Sequence, residues 1–426
     1  MNRYERYKKV DLPWMKEVPE HWEVKRNKSI FKEKKEVVGE RFIDYKLLSL
    51  TLRGVIERNL DGGGKFPASF EKYVVVKSND FVFCLFDMDE TPRTIGLSSR
   101  EGMITGAYTI FEAYTNYSSQ FLNYFYLYID SIKGLKPYYS GLRKTVNLDK
   151  FNSIKIPIPP LDEQKKIAAY LDWKINEINR LIAVEKEKIV NIDKYVQNKI
   201  SEQYKNFDKR RLKTVLKEPL LYGINSSGSE MGKIRFIRIT DIDKGGNLKN
   251  KNELYIDECN NKYLLNKGDI LLARSGATVG KAYLHIDDDN IMAFAGYLIR
   301  ARVDQSIILP NYLYFYLLSN EYELWKENVF IQSTIQNISA EKYSNLRIPY
   351  VSKKKQIEII SNISKILREK NNIMKSINET IDQLNSLKNS LISEVVTGKI
   401  DVRNVVIPSY EKVGIDVLTD EEEIKE

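Results

Sequence analysis

Phe151-Asn152-Ser153-Ile154-Lys155-Ile156-Pro157 returns in kind as Tyr343-Ser344-Asn345-Leu346-Arg347-Ile348-Pro349, 192 residues further along the chain. Each copy leads to a glutamine, Gln164 and then Gln356, at the same separation of 192, and each glutamine opens a long run studded with Ile and Leu. Solenoid repeats have periods of roughly 20 to 50 residues, so a unit this long is a whole globular domain plus a helix, duplicated. The duplication reaches further back: residues 26–33 match 211–218, residues 77–83 match 266–272, and Phe121-Leu122 matches Tyr312-Leu313, with the offset drifting between 185 and 192. Drift of that kind reflects insertions in surface loops, where they are tolerated best.

The run after the first copy places Ile167, Leu171, Ile175, Ile178, Ile182, Glu185, Ile189, Ile192 and Val196 at spacings of three and four. After the second copy, Ile363, Leu367, Lys370, Met374, Ile377, Ile381, Leu384, Lys388, Leu391 and Val395 alternate in the same way. This is a heptad seam, and it predicts two helices, each roughly 55 to 60 Å long at 1.5 Å per residue. A lone helix with one apolar stripe in water is unstable, so the two are expected to pack on each other. The first leads out of the first globular half into the second and the other brings the chain back, which makes the pair antiparallel. The alternative is that each helix packs on its own half. Pro157, Pro159 and Pro160 stiffen the approach to the first helix, Asp162 and Glu163 put acid at its positive end, and Ser352 is the expected cap of the second.

Short β-branched or aromatic runs at 73–77, 80–86, 269–273 and 295–303 read as strands, and 121–130 and 311–319 as buried helices. The expected fold class is therefore mixed α/β (α+β): two homologous globular domains joined by two long antiparallel coiled-coil helices in a dumbbell with approximate two-fold symmetry. The expected boundaries are 1–156 for the first globular domain, 157–206 for the first long helix, 207–348 for the second domain, 349–403 for the second helix and 404–426 for a tail. Beyond about Val405 the pattern is lost, and the tail, which carries Asp420-Glu421-Glu422-Glu423, is expected to be solvated.

The 426 residues carry 67 Lys and Arg against 58 Asp and Glu, a net charge of +9, which suits a polyanionic partner without demanding one. Cys84 and Cys259 sit at non-equivalent places in the two halves, which argues against a shared disulfide framework and for a reducing compartment. With only His21 and His285, no Cys/His metal-ligand spacing exists, and no metal is expected. Residues 1–10 are polar and no run approaches the ~20 apolar residues of a membrane span, so the expected location is the cytoplasm, with no membrane partner.

No constellation for catalysis is present. Ser275-Gly276-Ala277-Thr278-Val279-Gly280-Lys281 is one residue short of a phosphate loop between its glycines, and Ala282 stands where a magnesium-holding hydroxyl belongs, so it reads as a hairpin turn. There is no nucleophile elbow and no Asn-Pro-Pro-Tyr or Asp-Pro-Pro-Tyr motif. What remains is two unlike but homologous heads held apart by a rigid bar on a basic chain. Successive major-groove faces of a DNA duplex recur every ~34 to 36 Å, so such a bar can set two heads on separate half-sites of a bipartite, asymmetric target. A coiled-coil scaffold presenting two binding domains with no nucleic acid involved, and a self-sufficient DNA-modifying enzyme, are the rival classes.

Three segments, in order and within the duplication, carry a family resemblance: Ile156-Pro157-Ile158-Pro159-Pro160-Leu161-Asp162-Glu163-Gln164-Lys165-Lys166-Ile167, Val18-Pro19-Glu20-His21-Trp22-Glu23-Val24, and Lys267-Gly268-Asp269-Ile270-Leu271-Leu272-Ala273-Arg274-Ser275-Gly276. Over about residues 11–403 the chain resembles the specificity subunits of type I restriction-modification systems. The resemblance implies a non-catalytic chain with two target recognition domains that choose the sequence on double-stranded DNA. It also implies helical regions that dock methyltransferase subunits, two of them, with restriction and translocase subunits joining that core. S-adenosylmethionine, ATP and magnesium would sit on those partners and no cofactor on this chain. The second box, Tyr350-Val351-Ser352-Lys353-Lys354-Lys355-Gln356, departs from the pattern by lacking the second proline and the Glu before Gln.

The candidate DNA-contacting residues lie in loops beside strand or helix ends. They are Arg143 and Lys144 in the turn 141–145, Gln336 and Asn337 in its counterpart 333–337, and Arg53, Arg93, Arg274 and Lys281. The candidate coiled-coil and partner-docking residues are Ile167, Leu171, Ile178, Ile182, Ile189, Ile192, Ile363, Leu367, Ile377, Ile381, Leu384 and Leu391.

Overall fold

A computed structural model describes residues 3–58, 69–243, 245–276, 279–287, 290–331 and 337–413. The chain forms two compact units, residues 1–185 with 379–426, and residues 186–378. The long helices are continuous from Leu161–Glu202 and Lys353–Val396, and each contributes a segment to both units.

In the first unit a four-stranded antiparallel sheet runs in the order Phe31–Lys34, Thr109–Ala113, Phe81–Phe83, Ile95–Leu97. The middle strand Phe81–Phe83 is buried at every residue, so its side chains pack on both faces of the sheet. Phe31, Phe83, Phe111 and Phe151 meet there with ring centroids as close as 4.7 Å for Phe111 and Phe151 and 4.9 Å for Phe83 and Phe151. The helix Ser119–Ser131 begins where the Ser118 hydroxyl accepts from the Phe121 N–H, and it buries Phe121, Leu122, Phe125, Tyr126 and Ile129 along one helical stripe.

The second unit repeats this order with Leu221–Tyr222, Leu298–Ala301, Ile270–Ala273 and Ala282–Leu284. The matched proline boxes are strands in both units. Lys155–Ile158 pairs antiparallel with Glu23–Arg26, joining Lys155 to Arg26, and Arg347–Pro349 pairs with Lys209–Arg211, joining Arg347 to Arg211. The expected strands are thus present but shorter than their apolar runs, because strand ends turn outward into loops. The units differ around this shared frame. The first adds the hairpin Leu48–Thr51 with Gly54–Glu57, and the second adds a three-stranded sheet in which Ile234–Ile237 pairs parallel with Met292–Phe294.

Two duplicated polar residues explain why the repeat is legible in the sequence. Asp80 and Asp269 are almost fully buried, and each accepts a backbone N–H three residues back, from Lys77 at 2.7 Å and Asn266 at 2.8 Å. Each also pairs with a cation, Lys34 or Arg302. Gln164 accepts from the Ser118 N–H at 2.9 Å and donates to the Pro159 carbonyl at 2.8 Å. Gln356 accepts from the Leu309 N–H at 2.8 Å and donates to the Ile307 and Val351 carbonyls at 3.0 Å. Each glutamine therefore ties the start of a long helix to the start of the helix that covers its sheet. Gln356→Ala leaves these buried groups unmatched and is expected to cost about 2 to 3 kcal/mol in urea denaturation. An unchanged midpoint would mean that water replaces the amide.

Every seam position read from the sequence is buried or half-buried. In the first unit Ile167 and Leu171 share a core with Ile392, Val395 and Val396, and in the second Val196 and Ile200 share a core with Ile359 and Ile363. Within each unit the start of one long helix thus meets the end of the other, the antiparallel arrangement. These same ends join the aromatic cores of the sheets, so each helix packs on its own half only at its start, and its end packs in the core of the other half. The Ser352 hydroxyl accepts from the Lys355 N–H at 3.4 Å, as a cap should.

Glu163 does more than place acid at a helix start. Its carboxylate is 7% exposed and accepts from Tyr4 Oη at 2.6 Å and Trp22 Nε1 at 2.9 Å, with His21 Nε2 at 2.7 Å. The chain after the second helix also differs from expectation. It stays packed on the first unit as far as Val413, with Val402 buried, Val405 and Ile407 against the core, and the Asn176 amide bonded to Glu411 O at 2.9 Å and to Val413 N at 2.8 Å. Loss of the heptad there marks non-helical backbone held at a few points by apolar contacts and a side-chain amide, with most of residues 403–412 exposed. Asp420 to Glu423 lie outside the described residues.

Candidate nucleic-acid interface

In the second unit the structure brings Arg274 and Asn337 together on one edge. Arg274 follows the strand Ile270–Ala273, its carbonyl accepts from the Ile338 N–H at 2.8 Å, and Ser275 bridges to Asn337. The guanidinium lies 4.9 Å from the centre of the Tyr222 ring, whose hydroxyl accepts from the Ala340 N–H at 2.9 Å. Arg274 Nε and Asn337 Oδ1 are buried with no protein partner. Unmatched buried polar atoms are rare in folded proteins, and two at one edge suit groups that a ligand completes. Gln336 lies outside the described residues.

The counterpart turn in the first unit is held the same way, by the Val146 N–H donating to the Leu85 carbonyl at 2.9 Å. Gly141 and Lys144 take positive φ, 69° and 47°, which lets the backbone reverse between the Ser140–Thr145 bridge and exposes both basic side chains. Arg143 is oriented, not free: its Nε donates to Asp87 Oδ1 at 3.1 Å, and it lies 5.3 Å from the centre of the Phe86 ring. The guanidinium holds the Asp87 carboxyl below its ordinary pKa. Lys144 is exposed.

Arg53 and Arg93 are neighbours elsewhere on this unit. Arg53 sits at the tip of the hairpin Leu48–Thr51 with Gly54–Glu57, and the Arg93 guanidinium donates to the Leu52 carbonyl beside it at 2.9 Å. Arg93 therefore fixes the hairpin tip that carries Arg53. Lys281 stands apart in the second unit, just before the strand Ala282–Leu284 that pairs antiparallel with Ile270–Ala273, and donates to the Asp243 carbonyl at 3.4 Å; Ala277 and Thr278, within the stretch read as a hairpin turn, lie outside the described residues. Sequence reasoning missed Asp87 and Tyr222, because their roles depend on partners distant in the chain.

Cys84 is buried and Cys259 half-buried, and burial pushes both thiols up, away from nucleophilic chemistry. Among the described residues no group of His, Cys, Asp or Glu is arranged to hold a metal ion, and no helix is long and apolar enough to cross a membrane.

Along the long helices, Ile167, Leu171, Ile178, Ile182, Ile363 and Ile377 are buried, while Ile189, Ile192, Leu367, Ile381, Leu384 and Leu391 are half-buried. Outside that seam, Leu181, Val184, Val190 and Tyr195 on the first helix and Ile373 and Leu387 on the second are exposed.

The profile of the type I restriction modification DNA specificity domain matches residues 95–191 and 223–383, one segment in each half of the duplication. The specificity subunit of EcoKI from Escherichia coli K12 is 27% identical over 277 residues, 59% of this chain and 58% of that subunit. The chain thus spans little more than half the length of that relative. The MjaVIII specificity subunit of Methanocaldococcus jannaschii is 25% identical over 416 residues, 91% of this chain and 95% of that one. A solved structure described as the structural basis underlying complex assembly and conformational transition of the type I R-M system superposes over 90% of this chain and 99% of its own, with a TM-score of 0.61 at 16% identity.

Proposed function

The chain belongs to the family of type I restriction-modification specificity subunits, and we propose that it selects a bipartite, asymmetric target on double-stranded DNA, one half-site for each globular unit. The observation that carries this reading is the repeated sheet order and repeated Asp and Gln anchors beneath unlike edges. A common frame gives both heads the same way of meeting a duplex. Different edge residues, Arg143 and Lys144 in one and Arg274 and Asn337 in the other, give each its own bases. The long helices act as the spacer between heads, in the dumbbell arrangement that the seam favours, with the domain boundaries expected from the sequence. Their exposed apolar side chains dock methyltransferase subunits, two by the duplication, to which restriction and translocase subunits add. Catalysis, S-adenosylmethionine, ATP and magnesium belong to those partners, and the chain acts in the cytoplasm.

DNA binding should fall steeply with salt, because each phosphate neutralised by Lys or Arg releases counterions, with a log–log slope of about −0.9 per phosphate. Fluorescence anisotropy on a labelled duplex over a salt series reads that slope. A flat response would favour a protein scaffold over a DNA reader.

A further inference from the structure

Each unit contains a cavity where the helix behind its sheet and both long helices meet, about 480 Å³ in the first unit and 520 Å³ in the second. The walls correspond at the 192-residue offset: Ile175, Asn389 and Ile392 in the first stand where Leu367, Gln197 and Ile200 stand in the second. Their charges do not correspond. In the second cavity Lys370 pairs with Asp193 at 2.6 Å, Lys326 pairs with Glu323 at 2.7 Å, and Lys281 bonds the Asp243 carbonyl.

In the first cavity Arg53, Arg93, Lys133 and Lys388 face one carboxylate, Asp130. Lys133 and Arg93 lie 3.5 and 4.0 Å from it, and Lys133 also donates to the Met88 and Thr91 carbonyls. Among the described residues Arg53 and Lys388 have no ion pair and no side-chain hydrogen bond. Lys388 interrupts the apolar seam where its counterpart is Val196, so a heptad position has been given to a cation that turns into the cavity wall. Burial and the neighbouring Arg93 charge push the Lys388 ammonium below its ordinary pKa, a cost that an anion in the cavity would offset. Asn123 Oδ1, also in this wall, is buried without a partner and can accept from a ligand hydroxyl.

The geometry points to the first-unit cavity as a binding site for a phosphoryl group, held by Arg53 and Lys388, with Arg93 positioning the hairpin that carries Arg53. The phosphoryl group has two possible sources, the backbone of bound DNA or a free phosphate compound. Only the DNA source rests on the function proposed above.

Calorimetric titration of the full chain with inorganic pyrophosphate tests the site. Wild type and Lys370→Met should bind alike, while Arg53→Ala and Lys388→Met should weaken binding about tenfold or more, and Lys388→Arg should restore it. Circular dichroism of each variant separates lost binding from lost folding. If a long mixed-sequence duplex displaces the pyrophosphate, the source is the DNA backbone; if pyrophosphate binds with the duplex in place, it is a free compound. If the chain binds pyrophosphate but fails to bind any duplex, the site stands and the DNA reading falls. No pyrophosphate heat in wild type, together with unaltered duplex affinity in Lys388→Met, overturns the proposal. So does equal affinity in wild type and both first-unit variants.

Discussion

Glu163→Ala is expected to lower stability by about 3 to 5 kcal/mol, the range for removing one member of a buried charged network and leaving its partners behind. The carboxylate gathers Tyr4, His21 and Trp22 from the beginning of the chain onto the first turn of a long helix. Trp22 is fully buried, so its indole N–H has no solvent to turn to once the acceptor is gone. Beside it the Arg403 guanidinium pairs with Asp401 at 2.7 Å and lies 4.9 Å from the centre of the Tyr4 ring, and Tyr7 Oη donates to the Gly398 carbonyl at 2.9 Å. One carboxylate therefore ties the beginning of the chain to the first turn of a long helix, and Tyr4 and Tyr7 carry the contact on to Arg403 and Gly398. Glu163→Gln keeps an acceptor for one or two of these donors and should cost less than half as much. Chemical denaturation followed by tryptophan fluorescence reads both. Equal midpoints for wild type and Glu163→Ala would show that the network adds nothing net.

Arg274→Ala is expected to relax recognition of the second half-site by about 1 to 3 kcal/mol, roughly 5- to 150-fold, and to leave the first untouched. The side chain is preoriented by the Tyr222 ring, and its Nε, like Asn337 Oδ1, has no protein partner. An arginine fixed in this way has already lost much of its rotamer freedom, which makes a bidentate contact with a guanine edge more favourable. A phosphate contact would weaken every sequence alike. Binding to duplexes altered in one half-site at a time distinguishes these outcomes. Relaxation at the first half-site would reverse the assignment of heads to half-sites.

The long helices were readable because a heptad is local: spacings of three and four need no knowledge of distant partners. The duplicated boxes were readable because the same anchors recur, with Gln164 and Gln356 bonding equivalent backbone groups. Glu163 was visible only as acid at a helix start, since its partners are some 140 or more residues away in sequence. Lys370 and Lys388 stood out as polar residues in an apolar seam, yet spacing alone cannot tell a paired lysine from one that faces a cavity. Arg143 was legible as a loop cation, but its Asp87 partner, which decides how it is presented, follows from tertiary structure. The packing of residues up to Val413 was hidden for the same reason, because non-helical backbone held by Asn176 has no periodicity to read.

The most direct test of two sibling heads reading one split target is the methylome of a cell carrying this chain with its methyltransferase. The account predicts a methylated motif in two unlike parts separated by a spacer of unspecified bases, with the part read by the second head altered when Arg274 is replaced. A single uninterrupted motif, or a spacer that tolerates any length, would contradict it.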